Sequence, residues 1–144
     1  MIIRRLLVLT QLLALALMMS TSVGIVWAAA YEPRRGSAER EAILDALRPA
    51  VEGKLRSPVE FVVSRMRVHD GWAFVEVEPQ RPRGRPIDSA ALGFDTEMMN
   101  GLTTWALLKH QSGGWTLVTW VLGPTDVAWE GWWDTYGAPR DIFP

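Results

Sequence analysis

The spacing of hydrophobic and polar positions changes along this chain, and its first regular stretch predicts a helix. From Ser37 onward, apolar side chains recur every three or four residues with charged ones between them, as on an amphipathic helix: Ile43, Leu44, Leu47, Ala50, Val51 and Leu55. Ser37 is placed to cap the N-terminus. Pro49 lacks a backbone donor, which predicts a kink or two abutting segments near Arg48. Gly53 weakens the end and Pro58 stops the helix.

The period then falls to two, which predicts a β-hairpin. Within SRMRVHDGWAFVEVE, residues 64–78, Asp70-Gly71 suits a two-residue type I′ turn that pairs His69 with Trp72. This register sorts the side chains onto two faces. One face is apolar: Val68, Ala73, Met66, Val75 and Val77. The other is mixed, and we expect it to be only partly covered: Trp72, Phe74, Arg65, Arg67 and Glu76.

A second hairpin is predicted in LTTWALLKHQSGGWTLVTWVL, residues 102–122, with a loop of two or four residues around Ser112 to Gly114. Strict alternation places one set of side chains on one face of this hairpin: Trp105, Leu107, Val118, Trp120 and Leu122. It places a second set on the opposite face: Ala106, Leu108, Leu117 and Val121. Because both faces are apolar, we expect this hairpin in the middle of the sheet and the first hairpin at its edge. Residues 79–101 are rich in Pro and Gly, with a helical turn near Ser89 to Leu92.

The stretch GPTDVAWEGWWDTYGAP, residues 123–139, predicts a C-terminal helix of about twelve residues. Thr125 or its neighbour would cap it, Asp126 would lie in the first turn, and Gly137 would follow its end. Four aromatic residues then form one stripe: Trp129, Trp132, Trp133 and Tyr136. The predicted fold is α+β, with an N-terminal helix, a curved antiparallel sheet of two hairpins, and a short C-terminal aromatic helix.

The aromatic stripe has a structural and a functional interpretation. As core, it covers the second face of the sheet, and each ring buries about 150–250 Å². As a binding site, rings such as Trp132 line a pocket for an apolar or ring-shaped ligand, and Tyr136 supplies a hydroxyl group. A membrane-surface helix is disfavoured, because such helices carry Lys and Arg on the polar face, whereas this one carries Glu130 and Asp134.

Residues 1–30 have the order of a secretory signal peptide. Arg4 and Arg5 precede an apolar run from Leu6 to Met19, a polar break follows at Ser20 to Ser22, and small residues close the segment at Ala28 to Ala30. Cleavage after Ala28 or Ala30 would leave a short linker, residues 31–36, and a single domain, residues 37–144, in the periplasm or outside the cell.

An uncleaved membrane anchor is the alternative for this segment. Leu6 to Ala30 holds 25 residues without a charge, enough to span a bilayer core of about 30 Å. The polar break favours cleavage, because it stands where the apolar run of a signal peptide ends. With no cysteine in the chain, a lipoprotein signal is excluded. We therefore expect a protein or small ligand of the periplasm as partner, and the membrane only if the segment is retained.

Charge and cysteine content exclude further classes. The whole chain has 15 basic and 16 acidic residues, and two of the arginines lie in the signal segment, so the rest has 13 basic and 16 acidic residues and a net charge of −3. This balance argues against a nucleic-acid partner, because such binding depends on neutralising phosphates. Without disulfides, stability must come from the apolar core, to which the tryptophans after residue 30 contribute.

A second candidate binding site is the arginine-rich segment PQRPRGRP, residues 79–86. Arg81, Arg83 and Arg85 alternate with proline and glycine in an extended segment, so their guanidinium groups could converge on a carboxylate or phosphate. The alternative is a solvated connection between hairpins, neutralised by neighbouring acids such as Glu78 and Asp88.

The search for catalytic residues is otherwise negative. There is no cysteine nucleophile, and neither His69 nor His110 falls in a triad or in a metal-ligand spacing. We therefore predict no catalytic residue, no metal and no cofactor. The alternative is a small-ligand enzyme with a pocket between sheet and helix that uses Asp126, Tyr136 or His110.

Three segments carry a family resemblance: GWAFVEVEPQRPRGRPID, GGWTLVTWVLGPTDVAW and YGAPRDIFP. They resemble small uncharacterised exported proteins of Gram-negative bacteria, and the helix-then-sheet layout is similar to cystatin-like and NTF2-like domains. The resemblance implies an exported α+β domain and transfers no functional residue. NTF2-like enzymes place acids, histidines or tyrosines in a cone-shaped cavity, and this sequence has no such inward polar cluster. We therefore expect a non-enzymatic binding or accessory module.

Overall fold

The computed structural model describes residues 28–144, so most of the segment on which the signal and anchor hypotheses rest lies outside the described residues. A helix is followed by four strands and a short second helix: α1 Ala38–Leu55, β1 Glu60–His69, β2 Trp72–Gln80, β3 Thr104–Gln111, β4 Gly114–Leu122 and α2 Trp132–Tyr136. Two 3₁₀ turns accompany them, Pro82–Gly84 and Arg140–Ile142. The predicted α+β fold class is confirmed.

Helix α1 begins and ends where the sequence predicts. The Ser37 side chain accepts a hydrogen bond from the Arg40 backbone N–H, and Arg56 ends the helix in the left-handed conformation, with φ of 58°. The helix runs through Pro49 as one element, so of the two predicted alternatives, a kink or two abutting segments, the second is wrong. Pro49 lies on the exposed side, where water can satisfy the carbonyl that lost its donor.

The sheet is an antiparallel meander in the order β1-β2-β3-β4. The predicted register of the first hairpin is confirmed, since His69 lies opposite Trp72 and Met66 opposite Val75. Asp70 and Gly71 have φ of 48° and 74°, and a type I′ turn requires positive φ at both positions.

The predicted positions of the hairpins within the sheet are wrong. Each hairpin contributes one central strand and one edge strand, so β2 and β3 are central while β1 and β4 form the edges. The mixed face of the first hairpin is partly covered, as predicted: Trp72 and Phe74 on β2 are buried, whereas Arg65 on β1 is exposed. The C-terminal segment covers this face over the two central strands.

A β-bulge corrects the predicted sorting of side chains on β4. The register shifts between Leu107 and Leu108, which lie opposite Thr119 and Leu117, so Val118 is the extra residue. From there on the alternation is reversed. Trp120 and Leu122 pack on the α1 side of the sheet rather than with Trp105, Leu107 and Val118, and Val121 lies opposite Trp105.

The first hydrophobic layer lies between α1 and one face of the sheet. Ile43, Leu47 and Val51 are fully buried at helical spacing. They share this layer with side chains from the strands: Met66, Val68, Ala73, Val75, Val77, Ala106 and Leu108. The helix thus buries the apolar face that the first hairpin predicts.

The second layer is aromatic and covers the opposite face. Its buried members come from the sheet and from both ends of the described chain: Ala30, Trp72, Phe74, Leu107, Ala138, Ile142 and Phe143. Helix α2 has five residues instead of about twelve, because Gly131 takes the left-handed conformation, with φ of 85°, and separates Trp129 from it. The predicted Gly137 cap is present, with its N–H donating to the Trp133 carbonyl oxygen.

The core interpretation holds in part, because the three tryptophans of the stripe are partly buried and its tyrosine is exposed. Trp129, Trp132 and Trp133 pack against the aromatic layer, whereas Tyr136 is 38% exposed. The Trp129 ring lies 6.4 Å from Phe74 and stacks on Phe143 at 6.2 Å. Trp129 is therefore the central side chain of the stripe.

The segment that precedes α1 is also part of the packed structure. Ala30 is buried, its N–H donates to Asp141 at 3.2 Å, and its carbonyl oxygen accepts from Arg67 at 2.6 Å. Tyr31 pairs with Val68 of β1 through two backbone hydrogen bonds of 2.9 and 2.7 Å. Ala30, predicted to end the signal peptide, thus packs in the aromatic layer, and Tyr31, predicted to begin the linker, pairs with the outer edge of β1.

The contacts of Asp141 with Ala30 and His69 should weaken at acidic pH. Its carboxylate lies 2.7 Å from His69 Nδ1 and accepts the Ala30 N–H. Partial burial acts to raise the pKa of Asp141, but the hydrogen bonds from His69 and Ala30 and the attraction to His69 outweigh it, so the pKa lies below its ordinary value of 3.8. A depressed pKa in the folded state stabilises the fold above the unfolded-state pKa, and the contribution is lost as the pH falls through the folded-state pKa.

We expect Asp141→Asn to lower the free energy of unfolding at neutral pH, and the difference from wild type to shrink as the pH falls below 3.8 and the wild-type carboxyl becomes protonated. Urea unfolding of both proteins across this pH range measures the difference. Asp134→Asn is the control, because Asp134 is exposed on α2 and no such contact holds it. An equal loss of stability at both ends of the pH range would contradict this account.

Candidate functional site

An open cleft of about 490 Å³ lies where the N-terminal half of α1 passes over the ends of the two hairpins. Tyr31, Glu39 and Ala42 line it from the entry and first turns of α1. From the sheet side, the lining comes from β1 and from the two turn regions: Val68, Asp70, Gly71, His110, Gly114 and Trp115.

The meander topology explains why these residues meet. The β1-β2 and β3-β4 turns, Asp70-Gly71 and Ser112-Gly113, lie at the same end of the sheet, because alternate connections of an antiparallel meander share one end. The His110 N–H donates to the Gly71 carbonyl oxygen at 2.7 Å and fixes the two hairpins relative to each other. Two short turns with small residues thus leave room beneath α1.

The polar groups of the cleft are mainly acidic. The Tyr31 hydroxyl donates to Glu39 Oε1 at 2.8 Å. Burial raises the pKa of Tyr31, and the hydrogen bond to the Glu39 carboxylate and its negative charge raise it further. Asp70 adds a second carboxylate from the turn. The cleft therefore offers two carboxylates to a ligand, one of them held in place by a hydroxyl group.

The remaining lining is aromatic and apolar. The rings of His110 and Trp115 meet edge to face, with centroids 5.2 Å apart, and the Tyr31 side chain is 47% exposed. Aromatic faces attract cations through their quadrupole and also accept apolar groups. Carboxylates beside exposed rings suit a positively charged group on an apolar stem.

The three candidate arginines have different surroundings. The Arg81 guanidinium donates to the carbonyl oxygens of Leu55, Ser57 and Pro58 at 2.9, 3.0 and 3.3 Å, where α1 ends. Arg85 Nε donates to the carbonyl oxygen of Pro82 at 3.3 Å, within the loop. Arg83 is exposed, with a left-handed φ of 66°. Arg81 therefore joins the loop to α1, and it does not point with the other two guanidinium groups toward a common anion.

The other predicted site residues lie apart from the cleft. Trp132 and Tyr136 belong to α2, on the opposite face of the sheet. Asp126 is exposed and accepts the Val127 N–H at 2.7 Å. Of the three residues considered for an enzyme, only His110 lines the cleft.

Sequence reasoning missed Tyr31, Glu39, Asp70 and Trp115 as members of one site. The sequence pattern marks Asp70 only as a turn residue and Tyr31 only as part of the linker. What these residues share is their position in the chain topology. The two short hairpins of a meander bring their turns to one end of the sheet, and the segment that leads into α1 passes near that end. This signal identifies the cleft only when the position of α1 is known.

Within residues 28–144, no group of three His, Asp or Glu side chains could hold a metal ion. No helix in this part of the chain is long and apolar enough to cross a membrane. Comparison with known proteins gave no match to a family model, to a curated protein or to a solved structure.

Proposed function

We propose that this protein is an exported, non-enzymatic binding or accessory module of the periplasm, and that its ligand presents a cationic group on an apolar stem. The composition of the cleft carries the proposal, because the carboxylates of Glu39 and Asp70 line it together with the exposed Tyr31 and the partly buried Trp115. An ammonium or guanidinium group is the complement of such a surface.

The filled interior supports a binding role over catalysis. Side chains occupy the space on both faces of the sheet, in an aliphatic layer under α1 and an aromatic layer under the C-terminal segment. An NTF2-like enzyme needs an inward pocket that gathers its polar groups. Here Asp126 and Tyr136 lie outside the cleft that His110 lines. The alternative small-ligand enzyme is therefore the less supported hypothesis.

The expected affinity for one cationic group is low. An exposed cation–π contact contributes about 0.5–1 kcal/mol, and each exposed ion pair contributes about 0.2–1 kcal/mol. Together these terms correspond to a dissociation constant of about a millimolar or weaker. A physiological ligand must add further contacts around the cleft, as a lysine or arginine side chain of a protein partner would.

We expect Nα-acetyl-lysine-N-methylamide to bind with a dissociation constant in the millimolar range, and its norleucine analogue to bind at least tenfold more weakly because it lacks the ammonium group. NMR titration that follows the backbone amides of Gly71 and Gly114 measures both. Cadaverine, titrated in parallel, distinguishes a free amine from a peptide side chain.

Variants of the carboxylates locate the binding site. Glu39→Gln and Asp70→Asn should each weaken binding of the lysine probe, whereas Asp134→Asn should leave it unchanged, because Asp134 lies on α2. Equal affinity of all variants, or equal binding of the norleucine analogue, would remove the support for a cationic ligand.

The contacts of Ala30 support one signal cleavage site over the other. Cleavage after Ala30 would remove a buried residue that bonds to both Asp141 and Arg67, whereas cleavage after Ala28 keeps these bonds. We expect the mature protein in a periplasmic extract to begin at Ala29, as intact-mass analysis would show. A membrane-bound product that retains Met1 would contradict export with cleavage, and a mature chain that begins at Tyr31 would show that Ala30 is dispensable.

A further inference from the structure

The two edges of the sheet differ in how well they are protected from pairing with another strand. Strand β1 carries several charged side chains and a bulge between Val63 and Arg65, and Tyr31 pairs with its outer side at Val68. Such features keep an edge from pairing with a foreign strand. Of these protective features, strand β4 has only a bulge, at Val118.

Strand β4 is long, uncharged and open. Its nine residues, GWTLVTWVL, contain no charged side chain and no proline, and β4 has no strand on its outer side in the part of the chain that the structure describes. Most of its side chains are only partly buried. A strand of this kind is a template for β-pairing.

We propose that β4 pairs with the β4 strand of a second copy of this chain, in antiparallel orientation, and forms a continuous eight-stranded sheet. An interface around a two-fold axis must complement itself, and an uncharged strand does so without like-charge repulsion. The eight strands are the four described strands of each copy.

Helix α1 fits the same arrangement. It lies closest to β4, and Ala42 shares the cleft with Trp115 at the start of that strand. Leu44 and Arg48 face Phe61 of β1, whereas Glu39 and Ala42 lie on the β4 side of α1, beside Gly114 and Trp115. Antiparallel pairing of β4 sets the two α1 helices antiparallel beside the junction, with their dipoles opposed.

The contact area reaches the size of a specific interface. A nine-residue strand is about 30 Å long and an 18-residue helix about 27 Å. Contact strips about 10 Å wide along both elements give about 570 Å² per copy, or roughly 1,100 Å² in total, which is just above the lower bound of about 1,000 Å². Strand pairing alone would bury about half of this, so the helices are needed.

The mass of the purified protein in solution tests the proposal. Sedimentation velocity from micromolar to millimolar concentration should show a mass that doubles as the concentration rises. Thr116→Lys places a charge at an exposed position of β4 and should weaken the dimer at least tenfold. Ser64→Lys is the matched control, because Ser64 is exposed on the opposite edge strand, and it should leave the dimer unchanged.

Single cysteines report the orientation, because the natural chain has none. In a two-fold antiparallel pair, one position near the middle of β4 lies opposite itself, so one residue from 116 to 120, when replaced by cysteine, should form a disulfide-linked dimer. Ser64→Cys should not. A monomer at every concentration, a dimer that Thr116→Lys leaves intact, or cross-linking through β1 would each overturn the proposal.

Discussion

Trp129→Ala should lower the free energy of unfolding by about 3–5 kcal/mol, the range for truncating a large aromatic side chain in a core. Trp129 lies 6.4 Å from both Phe74 and Trp105 and stacks on Phe143, so its loss opens a cavity in the aromatic layer. A domain of this size has a total of about 5–15 kcal/mol, so the variant should be close to unfolding. Urea or guanidinium unfolding measures this directly.

Trp132→Ala is the matched control for this prediction. Trp132 belongs to the same segment, but its ring makes none of the ring contacts that Trp129 and Trp133 make. We expect it to be the mildest of the three tryptophan replacements. Equal unfolding midpoints for wild type, Trp129→Ala and Trp132→Ala would contradict the core interpretation, and loss of ligand or partner binding in the same variants would show that the segment is a recognition surface.

Arg81→Gln should destabilise the fold by about 1–2 kcal/mol. Its guanidinium group donates hydrogen bonds to three carbonyl oxygens where α1 ends. A hydrogen bond from a charged donor contributes about 1.5–3 kcal/mol. The expected value is at the low end because two of the three bonds are exposed. Thermal unfolding compares this variant with Arg85→Gln. The Arg85 side chain makes one exposed hydrogen bond within its own loop, so its replacement should stay within about 0.5 kcal/mol.

Because Arg81 bonds to the end of α1 and Arg85 bonds only within its loop, the anion site must be tested without replacing Arg81. Replacing Arg81, Arg83 and Arg85 together would mix a loss of binding with a loss of stability. The pair Arg83→Gln and Arg85→Gln tests anion binding without disturbing the end of α1. If Arg81→Gln unfolds at the wild-type temperature, its three hydrogen bonds contribute nothing and the structural role assigned to Arg81 is wrong.

Local signals in the sequence were enough to predict much of the fold. The Ser37 cap, the spacing of Ile43 and Leu47, and the Asp70-Gly71 turn act within a few residues of one another, and each predicted its element correctly. The α+β class follows from these elements together.

Other features depend on contacts that a local pattern does not carry. The bulge at Val118 interrupts no visible alternation, so the positions of Trp120 and Leu122 were predicted on the wrong face. The C-terminal helix was predicted too long, because the aromatic spacing runs across Gly131, and the backbone at that glycine interrupts the helix. The burial of Ala30 depends on Asp141, which lies 111 residues away in the chain.

The cleft was missed for the same physical reason. Tyr31 and Glu39 precede the sheet, whereas Asp70 and Trp115 flank different turns, so only the packing of α1 on the meander brings them together. The sequence concentrates its aromatic residues near the C-terminus, and this pattern favours Trp132 and Tyr136 as site residues instead.

The central claim is that the C-terminal tryptophans are core and that the cleft by the two turns is the binding surface. The seven tryptophans after residue 30 each give one indole N–H signal, which single Trp→Phe variants assign. When the wild-type protein is titrated with Nα-acetyl-lysine-N-methylamide, we expect the Trp115 signal to shift with ligand concentration while those of Trp129, Trp132 and Trp133 stay in place. Shifts of Trp132 or Trp133 with none at Trp115 would contradict the account.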